Sequence, residues 1–334
     1  MAKEQFREWN PIRDISIKYI DGAGNKQYWI ANSEGLLNNI LRIVESFMEQ
    51  GFKLTNRQLY YQLVAGAAGK GTQIPNADEV YKRVNTFLTD GRYGGYIDWE
   101  AIEDRGRVPT MPPEWDNIKD FVESATRAFR LPRWQDQECY VELYTEKQAL
   151  ESILEPIANK HHIYFGYNKG YSGAAPFYDL SKRVMAKISE GKFVKILYAG
   201  DLDPSGVDMI RDIRDRITEF LTKGDEAIDI DSVEEYFEVI PLALNMEQVR
   251  QYNPPPNPAK ITDPRAKGYI AIYGNVSWEL DALRPEVLTG IIETGIQLFL
   301  DVDKYNAWIA REKPLKQKLQ DFADSLVNSE EPEV

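Results

Sequence analysis

The sequence predicts an α/β protein in which a helical N-terminal module of winged-helix type precedes a parallel sheet flanked by helices. Three observations carry that expectation. Residues 33–95 hold three helix-period stretches in quick succession, followed by a short extended segment, the pattern of a winged-helix module. From residue 138 the rhythm changes to strand and helix in alternation, as in a parallel α/β sheet. Between the two, the breakers "VPTMPPE" and "LPRWQDQ" flank one helical stretch, "WDNIKDFVESATRAF". The expected division is 1–110 for the winged-helix module, 111–137 for a linker helix, and 138–334 for the sheet domain with a helical C-terminal extension.

Taken in order, "ISIKYIDGAGNKQYWIA" reads as a hairpin, because alternating residues stand on either side of an Asp-Gly-Ala-Gly-Asn turn. "SEGLLNNILRIVESFMEQG" follows as an amphipathic helix with Ser33 as cap and Gly51 as stop. "TNRQLYYQLVAGA", capped by Thr55, and "NADEVYKRVNTFLTDGRYGG" are the next helices, and "YIDWEAIEDRGR" is a strand or turn with a polar end. Winged-helix modules commonly bind DNA. In the second half "CYVELYT", "IYFGYNKG", "VKILYAG" and "YFEVIPLAL" read as strands. "KQALESILEPIANK", "APFYDLSKRVMAKISEG" and a stretch from near Val207 to Lys223 read as the helices between them. "NPPPNPAKITDPRAKG" is an irregular excursion, since its prolines suit neither a helix nor a central strand. Helical sequence over 284–327 closes the chain.

Composition bounds the function classes. At 334 residues with 43% hydrophobic and 12% aromatic content, the chain supports two cores and is not a disordered segment. No window approaches eighteen uninterrupted apolar residues, and "MAKEQFREWNPIRD" lacks an apolar signal region, so a soluble cytoplasmic protein with no membrane association is expected. The single Cys139 reads as a buried structural residue. The net charge of −13 argues at first against nucleic acid, but it is unevenly spread. Residues 224–238 carry seven acids and no base, whereas residues 160–195 carry seven lysines and arginines against Asp179 and Glu190.

The chemistry concentrates in "ILYAGDLDPSG". Asp201 and Asp203 follow a buried strand at its carboxyl end, where open α/β sheets bind their ligands, and a two-residue period points both the same way. Glu146 ends the first strand of the same sheet and can face them across one cleft. Carboxylates that close need a cation between them, and three hard oxygen donors with no nearby His or Cys favour Mg²⁺. The alternative is a loop whose aspartates cap the next helix, with Glu146 favouring a helix dipole or pairing with Lys147. His161 and His162 are the only histidines, which disfavours a His-based metal site or a Ser-His-Asp triad.

Glu146 at a strand end followed by "GDLDPSG" after a later strand resembles the Toprim domain of topoisomerases, bacterial primases and some nucleases. The "DPSG" continuation is similar to the A subunit of topoisomerase VI and its meiotic double-strand-break relatives, in the reduced stand-alone form of phages and mobile elements. The resemblance covers about residues 50–285, and "WELDAL" (278–283) is similar to a C-terminal segment of that group. It implies a winged-helix (CAP-like) domain carrying a tyrosine nucleophile ahead of a Toprim domain. "TNRQLYYQLV" matches the nucleophile segment, with Arg57 and Tyr60 preceding Tyr61 as the nucleophile. It further implies cleavage of double-stranded DNA through a transient 5′-phosphotyrosyl bond, with Mg²⁺ or Mn²⁺ on Glu146, Asp201 and Asp203. A homodimer, with tyrosine and metal site supplied by different chains, and a separate ATPase are the implied partners.

Arg57, four residues before Tyr61, lies on the same helical face and can stabilise a phenolate or the scissile phosphate. Against this, most of the nineteen tyrosines are expected to pack in cores. Two other readings stay open: a Toprim nuclease using metal-activated water, and a DNA-binding protein without catalysis. Further DNA contacts are expected at Arg105 and Arg107 after the wing, at Lys169 in a glycine-containing loop, and at Lys260 and Arg265 in the Pro-rich excursion.

Overall fold

The computed structural model describes residues 8–9, 14–21, 24–103, 112–167, 174–223 and 227–326. Strands β1 (Ile15–Ile20) and β2 (Lys26–Ala31) pair antiparallel, and the Asp21 carboxylate pins their turn by accepting the Asn25 amide at 2.8 Å. Helix α1 (Ser33–Glu49) is capped by Asn32 rather than Ser33: Asn32 has extended backbone, and its side chain accepts from the Gly35 amide. After β3 (Leu54–Thr55), Thr55 and Gln58 cap α2 (Asn56–Ala65) reciprocally, and Gly66 ends it in the left-handed conformation at φ 74°. Helix α3 (Asp78–Tyr93) leads through a 3₁₀ turn at Trp99–Ala101 to β4 (Ile102–Glu103), which pairs parallel with β3. Leu36, Ile40, Val44, Leu59, Leu63, Val84 and Leu88 form the core of this lobe.

Helix α4 (Ile118–Ala128) leads to the second lobe. There β5 (Cys139–Thr145), α5 (Glu151–His161), β6 (Tyr164–Tyr167), α6 (Ala174–Ser189), β7 (Phe193–Ala199), α7 (Pro204–Thr222), α8 (Ile230–Tyr236) and β8 (Phe237–Ala243) follow in turn. The four strands form one parallel sheet in the order β6-β5-β7-β8. The chain then runs through α9 (Met246–Tyr252), β9 (Asn257–Pro258), α10 (Ala266–Tyr273), β10 (Val276–Ser277), α11 (Pro285–Gln297) and α12 (Val302–Ser325), with α12 packed along α4. The result is mixed α/β with helices on both faces of the sheet. No helix among the described residues is long and apolar enough to cross a membrane.

Two boundaries differ from expectation. Helix α7 begins at Pro204 instead of near Val207, because the Asp203 side chain caps it and proline suits a first helical position. The Pro-rich excursion, expected to suit neither a helix nor a central strand, contains one short pairing, Asn257 and Pro258 antiparallel with Ser277 and Val276, and its last residues open α10 at Ala266, past the final proline. Cys139 is half-buried rather than buried.

Alternation along the strands divides the second lobe into two cores. Val141, Leu143 and Leu197 face α5 and α11, while Val194, Ile196 and Tyr198 face α6 and α7. Glu142 sits on the latter face with no exposed surface. Arg183 of α6 donates to both its oxygens, at 2.7 and 2.9 Å, and the Tyr140 and Tyr144 hydroxyls donate at 2.6 and 3.1 Å. Removing one partner of such a pair strands the other charge. Arg183→Met is therefore expected to lower unfolding stability by about 3–5 kcal/mol in urea titration.

Candidate functional site

The sheet order sets the site. The chain leaves β5 for β6 through α5 on one face and returns past β5 to β7 through α6 on the other, so β5 and β7 flank the switch point where open sheets bind ligands. Glu146 follows β5 and Asp201 follows β7 on adjacent strand ends. Beyond them, Leu202 exchanges backbone hydrogen bonds with Trp278 at 2.9 and 3.0 Å. That exchange brings residues 279–281 over the strand ends, and the Leu280 amide donates to Asp201 Oδ1 at 2.8 Å. The 3₁₀ turn Leu280–Ala282 packs against α2 of the first lobe.

A cleft of about 980 Å³ results, lined by Arg57, Tyr61, Glu146, Lys147, Asp201, Asp203, Asn257, Lys260, Glu279 and Asp281. The two tyrosines of α2 part company here. The Tyr60 hydroxyl donates to Pro75 O at 3.0 Å and accepts the Ala77 amide at 2.8 Å, a packing role, and burial pushes it up to about 12. The Tyr61 hydroxyl accepts from Asn257 Nδ2 at 2.9 Å and from Arg57 Nη2 at 3.4 Å. Its ring is 1% exposed. Burial and the Glu279 charge push its phenol well above the usual range despite Arg57 and Asn257, so it is neutral in this state.

Arg57 forks onto Glu279, with Nε 2.7 Å from Oε2 and Nη2 in contact with Oε1. Lys147 shares that carboxylate: its ammonium lies 3.0 Å from Oε2, the oxygen Arg57 Nε also meets. The same ammonium lies 2.9 Å from Asp201 Oδ1 and 3.1 Å from Asp281 Oδ2. A continuous polar path thus joins the Tyr61 hydroxyl to Asp201 within one chain. Burial alone would raise Glu279, but Lys147 and Arg57 outweigh it and hold its carboxyl at about 2. Glu146 behaves oppositely: burial, then the Asp201 and Asp203 charges, push it up to about 7. Burial likewise lifts Asp201 to about 6, against the pull of Lys147.

Glu146, Asp201 and Asp203 are therefore near enough to feel one another's charge. Among the described residues, however, no three His, Cys, Asp or Glu side chains are gathered tightly enough to cage a metal. The donor set nevertheless fits a hard divalent cation. All its donors are carboxylate oxygens, and Glu146 Oε2 is buried without a protein partner among the described residues. Asp203 also caps α7, its Oδ1 accepting the Gly206 amide at 2.6 Å, so the capping alternative for this residue describes one of its oxygens.

Of the expected DNA contacts, Lys260 lines the cleft, and its charge acts on Glu146. Arg265 lies outside the lining, donating to Asp263 at 2.7 and 2.8 Å and to Asp208 at 3.4 Å. Arg105, Arg107 and Lys169 fall outside the described residues. Sequence reasoning marked "WELDAL" as a segment but missed Glu279 and Asp281 within it; their signal was an alternating acidic pair following a buried tryptophan. It also missed Asn257; Lys147, one alternative partner for Glu146, meets Asp201, Glu279 and Asp281 instead.

Gly206 packs so tightly on the Asp201 backbone that a Cβ would overlap the Asp201 carbonyl. Gly206→Ala must therefore shift the loop that carries both aspartates. Thermal or urea denaturation should show a loss of about 1–3 kcal/mol, the usual cost of overpacking against rigid backbone. Comparison of the chain with protein-family models, curated proteins and solved structures gives no match.

Proposed function

We propose that the chain is a metal-dependent DNA-cleaving protein resembling the topoisomerase VI A subunit, with a winged-helix first lobe, a Toprim second lobe and Tyr61 as covalent nucleophile. The observation that carries this reading is the single cleft in which the Tyr61 hydroxyl and the carboxylates at the ends of β5 and β7 meet, joined through Arg57, Glu279 and Lys147. Double-stranded DNA is the proposed substrate; a homodimer and a separate ATPase belong to the same reading, although the cleft that carries it takes the tyrosine and the carboxylates from one chain where the resemblance implies two.

In the proposed step the Tyr61 oxygen attacks a backbone phosphorus, a tyrosyl O–P bond forms, and the P–O3′ bond breaks. The phenol loses its proton and the 3′ oxygen gains one. Arg57 is placed to favour the phenolate and to meet the phosphate bidentately once freed from Glu279. Asn257 aims a donor at the tyrosyl oxygen and so fixes its direction. With its carboxyl near 2, Glu279 is a weak base; its role is to hold Arg57 and Lys147. Glu146, Asp201 and Asp203 are the residues that would hold Mg²⁺ or Mn²⁺, which supplies charge stabilisation at the phosphate and leaving oxygen. Lys260 adds positive charge at the cleft.

The burial of Tyr61 favours a second reading, hydrolysis by metal-activated water with no covalent adduct. One experiment separates the two. The protein is incubated with end-labelled duplex and Mn²⁺, then quenched with detergent. The expected result is label migrating at the protein's mass, absent with Tyr61→Phe, and cleavage reduced on the order of 10³-fold or more, as loss of a nucleophile does. Cleavage that survives Tyr61→Phe without adduct establishes hydrolysis. Asp201→Ala combined with Asp203→Ala should abolish cutting by either route, while far-UV circular dichroism reports an intact fold.

A further inference from the structure

Lys147 follows Glu146, yet the two side chains do different things. The Lys147 ammonium lies among Asp201 Oδ1, Glu279 Oε2 and Asp281 Oδ2 at 2.9, 3.0 and 3.1 Å, one carboxylate for each of its three N–H donors. Burial alone would favour the neutral amine. Asp201, Asp281 and Glu279 outweigh it and keep the group charged. The cluster still holds more acceptor capacity than the lysine fills: Asp281 is 1% exposed, and among the described residues neither its Oδ1 nor the buried Glu146 Oε2 has a partner. Asp201 Oδ1 is already shared between the ammonium and the Leu280 amide.

We infer that Lys147 is an internal counter-ion that competes with a divalent cation for Asp201, so that metal loading displaces its ammonium onto Glu279 and Asp281. This rests on the metal reading of Asp201 given above. An ammonium is a compact point charge on a flexible stem, able to swing between carboxylates. A divalent ion and an ammonium sharing one carboxylate oxygen would repel strongly in a buried site, so the two exclude each other there. Glu279 and Asp281 give the displaced charge a place to remain. Without that resident cation, Asp201, Glu279 and Asp281 would crowd one another, with Arg57 held on Glu279.

The test is Mn²⁺ alone titrated into the full chain, with free Mn²⁺ read by electron paramagnetic resonance. Lys147→Met and Lys147→Gln each remove the competing charge, and the glutamine keeps hydrogen-bond donors among the carboxylates. Both variants are expected to bind Mn²⁺ more tightly than the wild type, by about tenfold or more. Lys147→Met should also melt lower without metal and regain more melting temperature on Mn²⁺ addition than the wild type does. If Lys147→Met fails to fold by circular dichroism, the affinity of Lys147→Gln decides alone. Variants that bind Mn²⁺ no more tightly than a wild type that does bind it, with Asp201→Asn abolishing that binding, overturn the lysine's role and leave the metal reading standing. No Mn²⁺ binding by any of these proteins overturns both.

Discussion

Two backbone hydrogen bonds between Leu202 and Trp278 hold the site together. Leu202 stands between the two aspartates of the strand-end loop, and Trp278 stands just before Glu279. Their pairing delivers the Leu280 amide to Asp201, puts Glu279 within reach of both Arg57 and Lys147, and lays the following turn against α2. The side chains of Leu202, Trp278 and Leu280 are buried in the sheet core, so the hydrogen bonds form away from competing water. The electrostatics of the cleft follow from this placement of two chain segments, not from the strand-end motif alone.

The cleft is an acidic place held by cations. Glu146, Asp201, Asp203, Glu279 and Asp281 share it with Arg57, Lys147 and Lys260. The cations are unevenly shared, and the carboxylates diverge accordingly. Glu279, between Arg57 and Lys147, is held low, whereas burial and then the two neighbouring aspartates push Glu146 up. A single fold therefore makes one carboxylate a fixed anchor and another an open acceptor, using position instead of residue type.

The α/β alternation was legible because each strand of the sheet is a short apolar run bounded by turn residues, and the helices between carry clear apolar stripes. Asp201, Asp203 and Glu146 could be singled out because they follow strand ends, whereas Arg57 and Tyr61 entered through the resemblance of "TNRQLYYQLV" to a nucleophile segment. The start of α7 was misplaced because proline was read as a breaker, where a capping aspartate makes it a first helical residue. Glu279, Asp281 and Asn257 were not legible as site residues. They reach the cleft through long-range backbone pairings, Leu202 with Trp278 and Asn257 with Ser277, that leave no local period. Lys147, offered only as an alternative partner for Glu146, lines the same cleft and reaches Asp201, Glu279 and Asp281 through contacts distant in sequence.

Asn257 belongs to a short segment that crosses between the lobes. Beside it, Asn76, from the connection between α2 and α3, donates to the Pro256 carbonyl at 2.9 Å, while Asn257 itself donates to the Tyr61 hydroxyl. Together with the Arg57–Glu279 fork, these contacts close the seam along which the lobes would separate. Spreading the lobes would break them as a set, so widening the cleft and unmasking the phenol are one mechanical event.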